Sequence, residues 1–343
     1  MKILYLSCHS SLEWDEVTLL REIGHYVFSV GSYVEPRNPG DPTMRPAMDF
    51  DYDPADVAAW HQLVCSKCKP GEDGKDHLTK EFVERFDLTI IMHIPRWITN
   101  NWEAISCKPV LWRTIGQSIS GVERLLKPYR DKGLKILRYS PREEKIPGFI
   151  GADGMIRFYK DPAEFTGWTG EEKFVINFSQ SMKQRGQHCN FDFFEEVTSK
   201  FPRKLFGSES ESLTYGYGKV PYDRLKEEMR KNRCYFYTGT HPASYTLNFI
   251  EAMMSGIPML CIGPEKGNFF PGHELYEIQD LIKDGQNGFI SDNPNYLIDC
   301  IDALLQSHSF AQMISVEGRN TAIEHFGKHM IMNAWNAFLP TVV

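Results

Sequence analysis

The chain is 343 residues long, with 42% hydrophobic and 24% charged residues and a formal net charge of −7. That length exceeds a usual single domain, so two are expected, with a composition ordinary for globular proteins. The acidic balance argues against nonspecific nucleic-acid binding, which needs a basic excess, and no apolar run approaches the ~18 residues that span a bilayer. KILYLSC (2–8) reads as a first strand, a helix follows around Glu16 to Ile23 and ends at Gly24-His25, and YVFSVG (26–31) reads as a second strand. This βαβ opening predicts a parallel sheet. Residues 35–55, rich in Pro, Asp and Gly, read as a loop. DLTIIMH (87–93), KPVLWRT (108–114) and GLKILRYS (133–140) read as strands, GADGMIRFY (151–159) as a short turn and strand, and 161–173 as a polar connection.

FVINFSQ (174–180) restarts the pattern. A helix around Phe191 to Lys200, a strand RKLFG (203–207), a helix from Tyr222 to Asn232 and a strand CYFYTG (234–239) follow. Asp223 stands near the start of its helix, as the macrodipole prefers. The last stretch, Val316 to Phe338, reads as one long helix that Gly327 bends. Two consecutive α/β halves result.

The N-terminus MKILYLSCHSSLEW has too short an apolar run, and no small-residue cleavage site, for a secretory signal. Eight scattered cysteines, with Cys8, Cys234 and Cys261 in or beside expected strands, fit reduced thiols in a cytoplasm. Between Arg124 and Lys160, ten basic residues face four acidic ones. That segment reads either as a solvated face or as a patch for an anionic acceptor or a membrane surface. Two segments carry residues that could ligate a metal. Asp-x-Asp within DFDYD (49–53) lies in an acidic loop far from the second half. Cys65 and Cys68, with His61 and His77, have a spacing that fits no common zinc site. No metal or cofactor is expected.

The most informative stretch runs from Ser244 to Phe289. An amphipathic helix, Leu247 to Ser255, carries Glu251 in its middle, and a Gly-x-Pro turn leads into an apolar strand, Met259 to Ile262. A Gly/Pro/Lys loop and a helix stopping at Asp284-Gly285 follow. Backbone amides and one carboxylate converging at a strand crevice suit a nucleotide.

These residues resemble glycosyltransferase family 4, a family of GT-B fold. The resemblance is carried by Glu251-Ala252-Met253, Gly256, Pro258, Gly263, Glu277-Ile278, the turn Asp284-Gly285-Gln286-Asn287-Gly288 and GRNTAIEHF (318–326), and it covers about 174 to 340. The first half matches more loosely. The resemblance implies two Rossmann-like domains facing across a cleft. An acceptor domain would span 1–168 and a nucleotide-sugar domain 169–325, with a C-terminal helix of about 326–343 packing back on the first. It implies a cytoplasmic, metal-independent retaining transferase that moves a sugar from a nucleotide-sugar to a hydroxyl acceptor. Inactive nucleotide-sugar binding, or a role as partner subunit, and sugar-nucleotide epimerisation are the alternatives.

Residue by residue, the resemblance places Glu251 on the ribose hydroxyls and Ser244, Tyr245, Thr246 and Leu247 at a phosphate-binding turn. Gln180 and Arg185 fall where the family carries the Arg and Lys that clamp the diphosphate, with Lys183 as a replacement charge. Preorganised cations there stabilise the leaving group. Val220 falls where backbone groups contact the base, Gly263 in the loop facing the donor, and His93 at the strand end near the reacting centre. Arg113 and Gln117 follow a strand as acceptor ligands; a buried ion pair is the other reading of Arg113. One departure stands out: Ala243 occupies the place of the family's first, sugar-facing acid.

Overall fold

A computed structural model describes residues 1–34, 50–67 (65–67 as backbone only), 77–116, 118–269, 272 and 274–343. Two compact units divide the chain: 1–144 with 148–158 and 331–343, and 145–147 with 159–330.

The first unit contains β1 (Lys2–Leu6), α1 (Ser10–Glu22), β2 (Tyr26–Val30), α2 (Pro54–Lys67), α3 (Lys80–Val83), β3 (Leu88–Met92), α4 (Pro95–Ile105), β4 (Val110–Arg113), α5 (Ser120–Arg130), β5 (Lys135–Arg138) and β6 (Gly154–Met155). The strands form a parallel sheet in the order β2-β1-β3-β4-β5-β6. All five residues of β3 are buried, as the apolar run DLTIIM requires of a strand covered on both faces. Leu4, Phe28, Ile91, Trp97 and Trp112 share its core. The first helix starts six residues before the expected Glu16, because the His9 ring accepts the Leu12 amide at 3.4 Å and caps it.

The second unit contains β7 (Glu172–Phe178), α6 (Met182–Arg185), α7 (Phe191–Thr198), β8 (Arg203–Phe206), α8 (Tyr222–Lys231), β9 (Asn232–Tyr237), α9 (Leu247–Ser255), β10 (Met259–Ile262), α10 (Pro264–Gly267), α11 (Ile278–Leu281), β11 (Phe289–Ser291), α12 (Pro294–Gln306) and α13 (His308–Phe326). Its parallel sheet runs β11-β10-β9-β7-β8. α9 and β10 fall at their expected bounds. The helix ends where Gly256 turns left-handed at φ +85°, which a glycine adopts without steric cost.

The expected single helix from Val316 to Phe338 is two helices, α13 and α14 (Lys328–Phe338). α13 begins at His308, where the Ser307 hydroxyl accepts the Phe310 amide at 3.2 Å. It ends because Gly327 is extended and bridges Lys160; a Cβ there would stand 2.5 Å from the Ile323 carbonyl oxygen.

The domain boundary was expected at 168/169, and the units divide at 158/159. Lys160 donates its amide to the Phe326 carbonyl at 3.0 Å, and Arg319 donates to the carbonyls of Pro162, Phe165 and Met254. Residues 331–343 belong to the first unit. There Trp335 is fully buried with the Arg113 guanidinium 5.8 Å from its ring, and the Phe338 ring fills the space a Cβ on Gly154 would need.

Candidate active site

In the second unit, β7 has β8 on one side and β9 on the other. The chain therefore reverses its lateral direction at β7, and the loops after β7 and β9 leave the strand ends in opposite senses. Ligand crevices of open α/β sheets form at such a point.

The loop after β7 is clamped to the loop after β8. The Gln180 side-chain oxygen accepts the Ser208 amide at 2.8 Å, and the Ser181 amide reaches the Ser208 carbonyl at 2.9 Å. Gly207 is left-handed and passes so near that a Cβ would stand 2.1 Å from the Ser179 carbonyl oxygen. Gln180 is thus partly committed to holding the loop. On this fixed loop stand Lys183, exposed, and Arg185, half-buried; neither side chain has a hydrogen bond or ion pair among the described residues.

The loop after β9 is tied to the same place. Asn190 donates to the Thr238 carbonyl at 2.9 Å and lies 3.2 Å from the His241 Nε2. The His241 amide donates to the His188 carbonyl at 2.8 Å. Burial, and then the neighbouring His188, push the His241 imidazole down to about 4, so it is neutral at pH 7. Asn248 donates to the Phe178 carbonyl at the end of β7, which seats the first turn of α9 against that strand. The first-turn amides of an α-helix have no acceptor inside the helix and suit a phosphate oxygen.

The expected phosphate turn divides into two kinds of residue. Ser244 and Tyr245 are core: the Ser244 carbonyl accepts the Glu277 amide at 3.1 Å, and the Tyr245 ring lies 5.2 Å from Phe326. Thr246 and Leu247 are half-buried at the helix start. Ala243, in the place of the sugar-facing acid, is 9% exposed. Val220 is half-buried before α8, just after a turn in which Gly218 donates to the Ser210 hydroxyl at 2.8 Å.

Glu251 lies on the inner face of α9 and is 6% exposed. Its Oε1 is 2.7 Å from the ammonium of Lys160, which is 1% exposed. The sequence did not single out this pair, because Lys160 looked like the last of ten cations in a surface segment.

Gly263 has an internal reason to be glycine. A Cβ there would stand 2.2 Å from the Asp292 carboxylate, which accepts the Glu265 and Lys266 amides at 3.0 and 2.9 Å. The loop amides nearest Gly263 are therefore held by the chain's own acid, a residue the sequence reading missed. In the Asp-Gly-x-Asn-Gly turn, Asn287 accepts the Lys283 amide at 2.7 Å and donates to the Leu281 carbonyl and the Thr321 hydroxyl, each at 2.9 Å. That turn is a clasp onto α13.

In the first unit, His93 follows β3, which meets β1 at that sheet's own reversal point. It is left-handed at φ +48°, and its ring lies 5.7 Å from Trp112. Arg113 is fully buried. It donates to Glu16 at 2.8 Å and to the carbonyls of Ile156 and Arg138 at 2.7 and 3.2 Å, with the Phe158 ring 4.6 Å away. The acceptor-ligand reading of Arg113 thus gives way to a buried ion pair. Gln117 lies outside the described residues, as do Cys68 and Asp49 of the two metal motifs.

The basic segment is less basic at its surface than in its sequence. Arg130 and Lys135 pair with Asp153, Arg138 with buried Glu123, and Lys160 with Glu251. Among the described residues no helix is long and apolar enough to cross a membrane, and no three His, Cys, Asp or Glu side chains group as a metal site.

No protein-family model and no curated protein matches the chain. Several solved structures do. Anabaena Alr3699/HepE, in complex with UDP and glucose, aligns with a TM-score of 0.64 at 14% identity over 99% of this chain and 100% of that one. Sucrose-phosphate synthase from Thermosynechococcus elongatus aligns with a TM-score of 0.65 at 13% identity over 99% and 98%. A glycosyltransferase from Rickettsia africae aligns with a TM-score of 0.65 at 12% identity over 99% and 98%. The shared property is the fold, two parallel-sheet α/β units of the GT-B type.

Proposed function

We propose that the chain is a glycosyltransferase that moves a sugar from a nucleoside-diphosphate donor to a hydroxyl acceptor, with retention of anomeric configuration and without a metal ion. The observation that carries this reading is the reversal point at β7. Two cations without partners among the described residues, Lys183 and Arg185, stand on a clamped loop there, and the start of α9 is seated against the same strand end. A leaving nucleoside diphosphate gains charge as the glycosidic bond breaks. Fixed cations and helix-end amides stabilise that charge with little reorganisation. Glu251 accepts from the ribose hydroxyls, Gln180 offers its amide to the same diphosphate, and the backbone at Val220 takes the base.

In this reading the leaving phosphate oxygen removes the proton of the attacking hydroxyl on the same face, so no carboxylate nucleophile is needed. His93 and the acceptor belong to the first unit, and the acceptor is a glycan, a lipid-linked glycan or a small molecule. The likeness to a structure holding UDP and glucose supports a nucleotide-sugar donor. A second reading, binding without transfer, is favoured by Ala243 at the sugar-facing position. The two are separated by incubating the protein with UDP-, GDP- and ADP-sugars and following the anomeric proton by NMR. Slow loss of the donor's anomeric signal as free sugar appears is the expected result; binding without any release over days supports the second reading.

A further inference from the structure

We propose that Lys160 is a positioning residue for Glu251: it holds Oε1, so that Oε2 receives the hydroxyls of a bound ribose. The proposal rests on the reading of Glu251 as the ribose-binding carboxylate. Both side chains are buried, at 1% and 6% exposure, and the Nζ to Oε1 distance is 2.7 Å.

The ammonium has little freedom. Its backbone amide is fixed to the Phe326 carbonyl at 3.0 Å, the residue bridges Gly327, and Nζ sits 5.9 Å from the ring centroids of both Phe165 and Tyr222. Aromatic faces favour a cation at that range. The ion pair therefore fixes the carboxylate as well. Without that partner a carboxylate so deeply buried would lack a fixed contact for Oε1 and would swing to find water.

The other polar groups near Glu251 do not replace Lys160. The Tyr235 hydroxyl lies close enough to interact electrostatically with the carboxylate, but it is engaged by the Phe178 amide and carbonyl at 3.0 and 3.3 Å. Tyr222 contributes its ring face to Lys160. From α13, Arg319 donates to the Met254 carbonyl and not to the carboxylate. Among the described residues Lys160 is the one cation paired with Glu251.

Two consequences follow for a nucleotide. With Oε1 occupied, a single oxygen meets the two vicinal hydroxyls, so losing one of them changes how that oxygen is satisfied. The ammonium also cancels the carboxylate charge, which would otherwise repel a diphosphate.

The test is isothermal titration at pH 8 with the tightest-binding of UDP, GDP and ADP and its 2′-deoxy counterpart. Wild type is expected to prefer the ribonucleotide. Lys160→Met is expected to weaken binding about tenfold or more and to lose most of the ribose preference. Lys160→Arg is expected to restore both. Should Lys160→Met fail to fold, Lys160→Met/Glu251→Gln removes both charges, and its ribose preference is expected to equal that of Glu251→Gln alone. A folded Lys160→Met with wild-type affinity and ribose preference overturns the proposal, as does a double variant weakened by the product of the two single effects. If Glu251→Ala leaves nucleotide affinity unchanged, or none of the three nucleotides binds, the ribose reading itself fails and Lys160 loses its role. If Glu251→Ala weakens binding and Lys160→Met does not, only the positioning claim falls.

Discussion

Lys160 Nζ lies 2.7 Å from Glu251 Oε1, and this contact joins the segment that opens the second unit to the helix at its proposed nucleotide crevice. Glu251→Ala is expected to weaken nucleotide binding by about 2 kcal/mol, roughly thirtyfold, the usual scale for a hydrogen bond to a charged group. The variant leaves Lys160 buried without its anion, so calorimetric binding should be read beside a thermal melt. A protein that keeps its melt and its nucleotide affinity places the ribose elsewhere.

Arg185→Ala should lower turnover about a hundredfold while changing donor affinity less than about fivefold, because charge on the diphosphate grows in the transition state. Steady-state kinetics together with donor titration check this. An equal loss in binding and kcat/KM, with turnover unchanged, contradicts a leaving-group role.

Arg113→Met should destabilise the first unit by about 3–5 kcal/mol, since it strands the buried Glu16 carboxylate. Tyr5 also donates to Glu16, so one partner survives. Restoration of much of that loss by Arg113→Met/Glu16→Leu in a denaturant titration identifies the pair as structural. Loss of acceptor turnover in the double variant at unchanged stability returns Arg113 to the site.

Asp292→Ala should cost about 1 kcal/mol, as for loss of a helix cap, and lower the melting temperature by a few degrees. Nucleotide affinity is expected to stay within about twofold. A marked gain in affinity for inorganic pyrophosphate would show that the freed Glu265 and Lys266 amides compete for anions.

Acid should weaken the second unit through Glu228. Burial alone raises this carboxyl, but hydrogen bonds from Lys204 and Lys231 outweigh it and hold the group below the usual carboxylate range. A depressed folded-state value gives stability that is present above the unfolded value and is lost as pH falls through the folded one. Melting temperature should therefore drop below about pH 4.5, and Glu228→Gln should flatten that drop while lowering stability at pH 7. A pH profile identical in the variant contradicts the assignment.

The strands were legible because a parallel sheet covered on both faces imposes apolar runs, and α9 was legible because Gly256 and Pro258 punctuate it. α4 and α5 were not read, although Pro95 marks the first turn of one of them. In α5 the stripe Val122, Leu126 and Tyr129 has helical spacing, but Pro128 stands inside the helix, and both helices are only eleven residues long. In the proposed site, Glu251 and the basic loop were singled out by local pattern and the resemblance it carries. Lys160, Asp292 and Arg113 could not be assigned, because each owes its role to a partner far along the chain.

The passage of residues 331–343 into the first unit sets an order of events during synthesis. Trp335 and Phe338 are made after the whole of the second unit's sequence, so the core around Arg113 waits for side chains synthesised later than any residue of that unit. A chain cut before Ile331 would lose part of its first unit, not a dispensable tail.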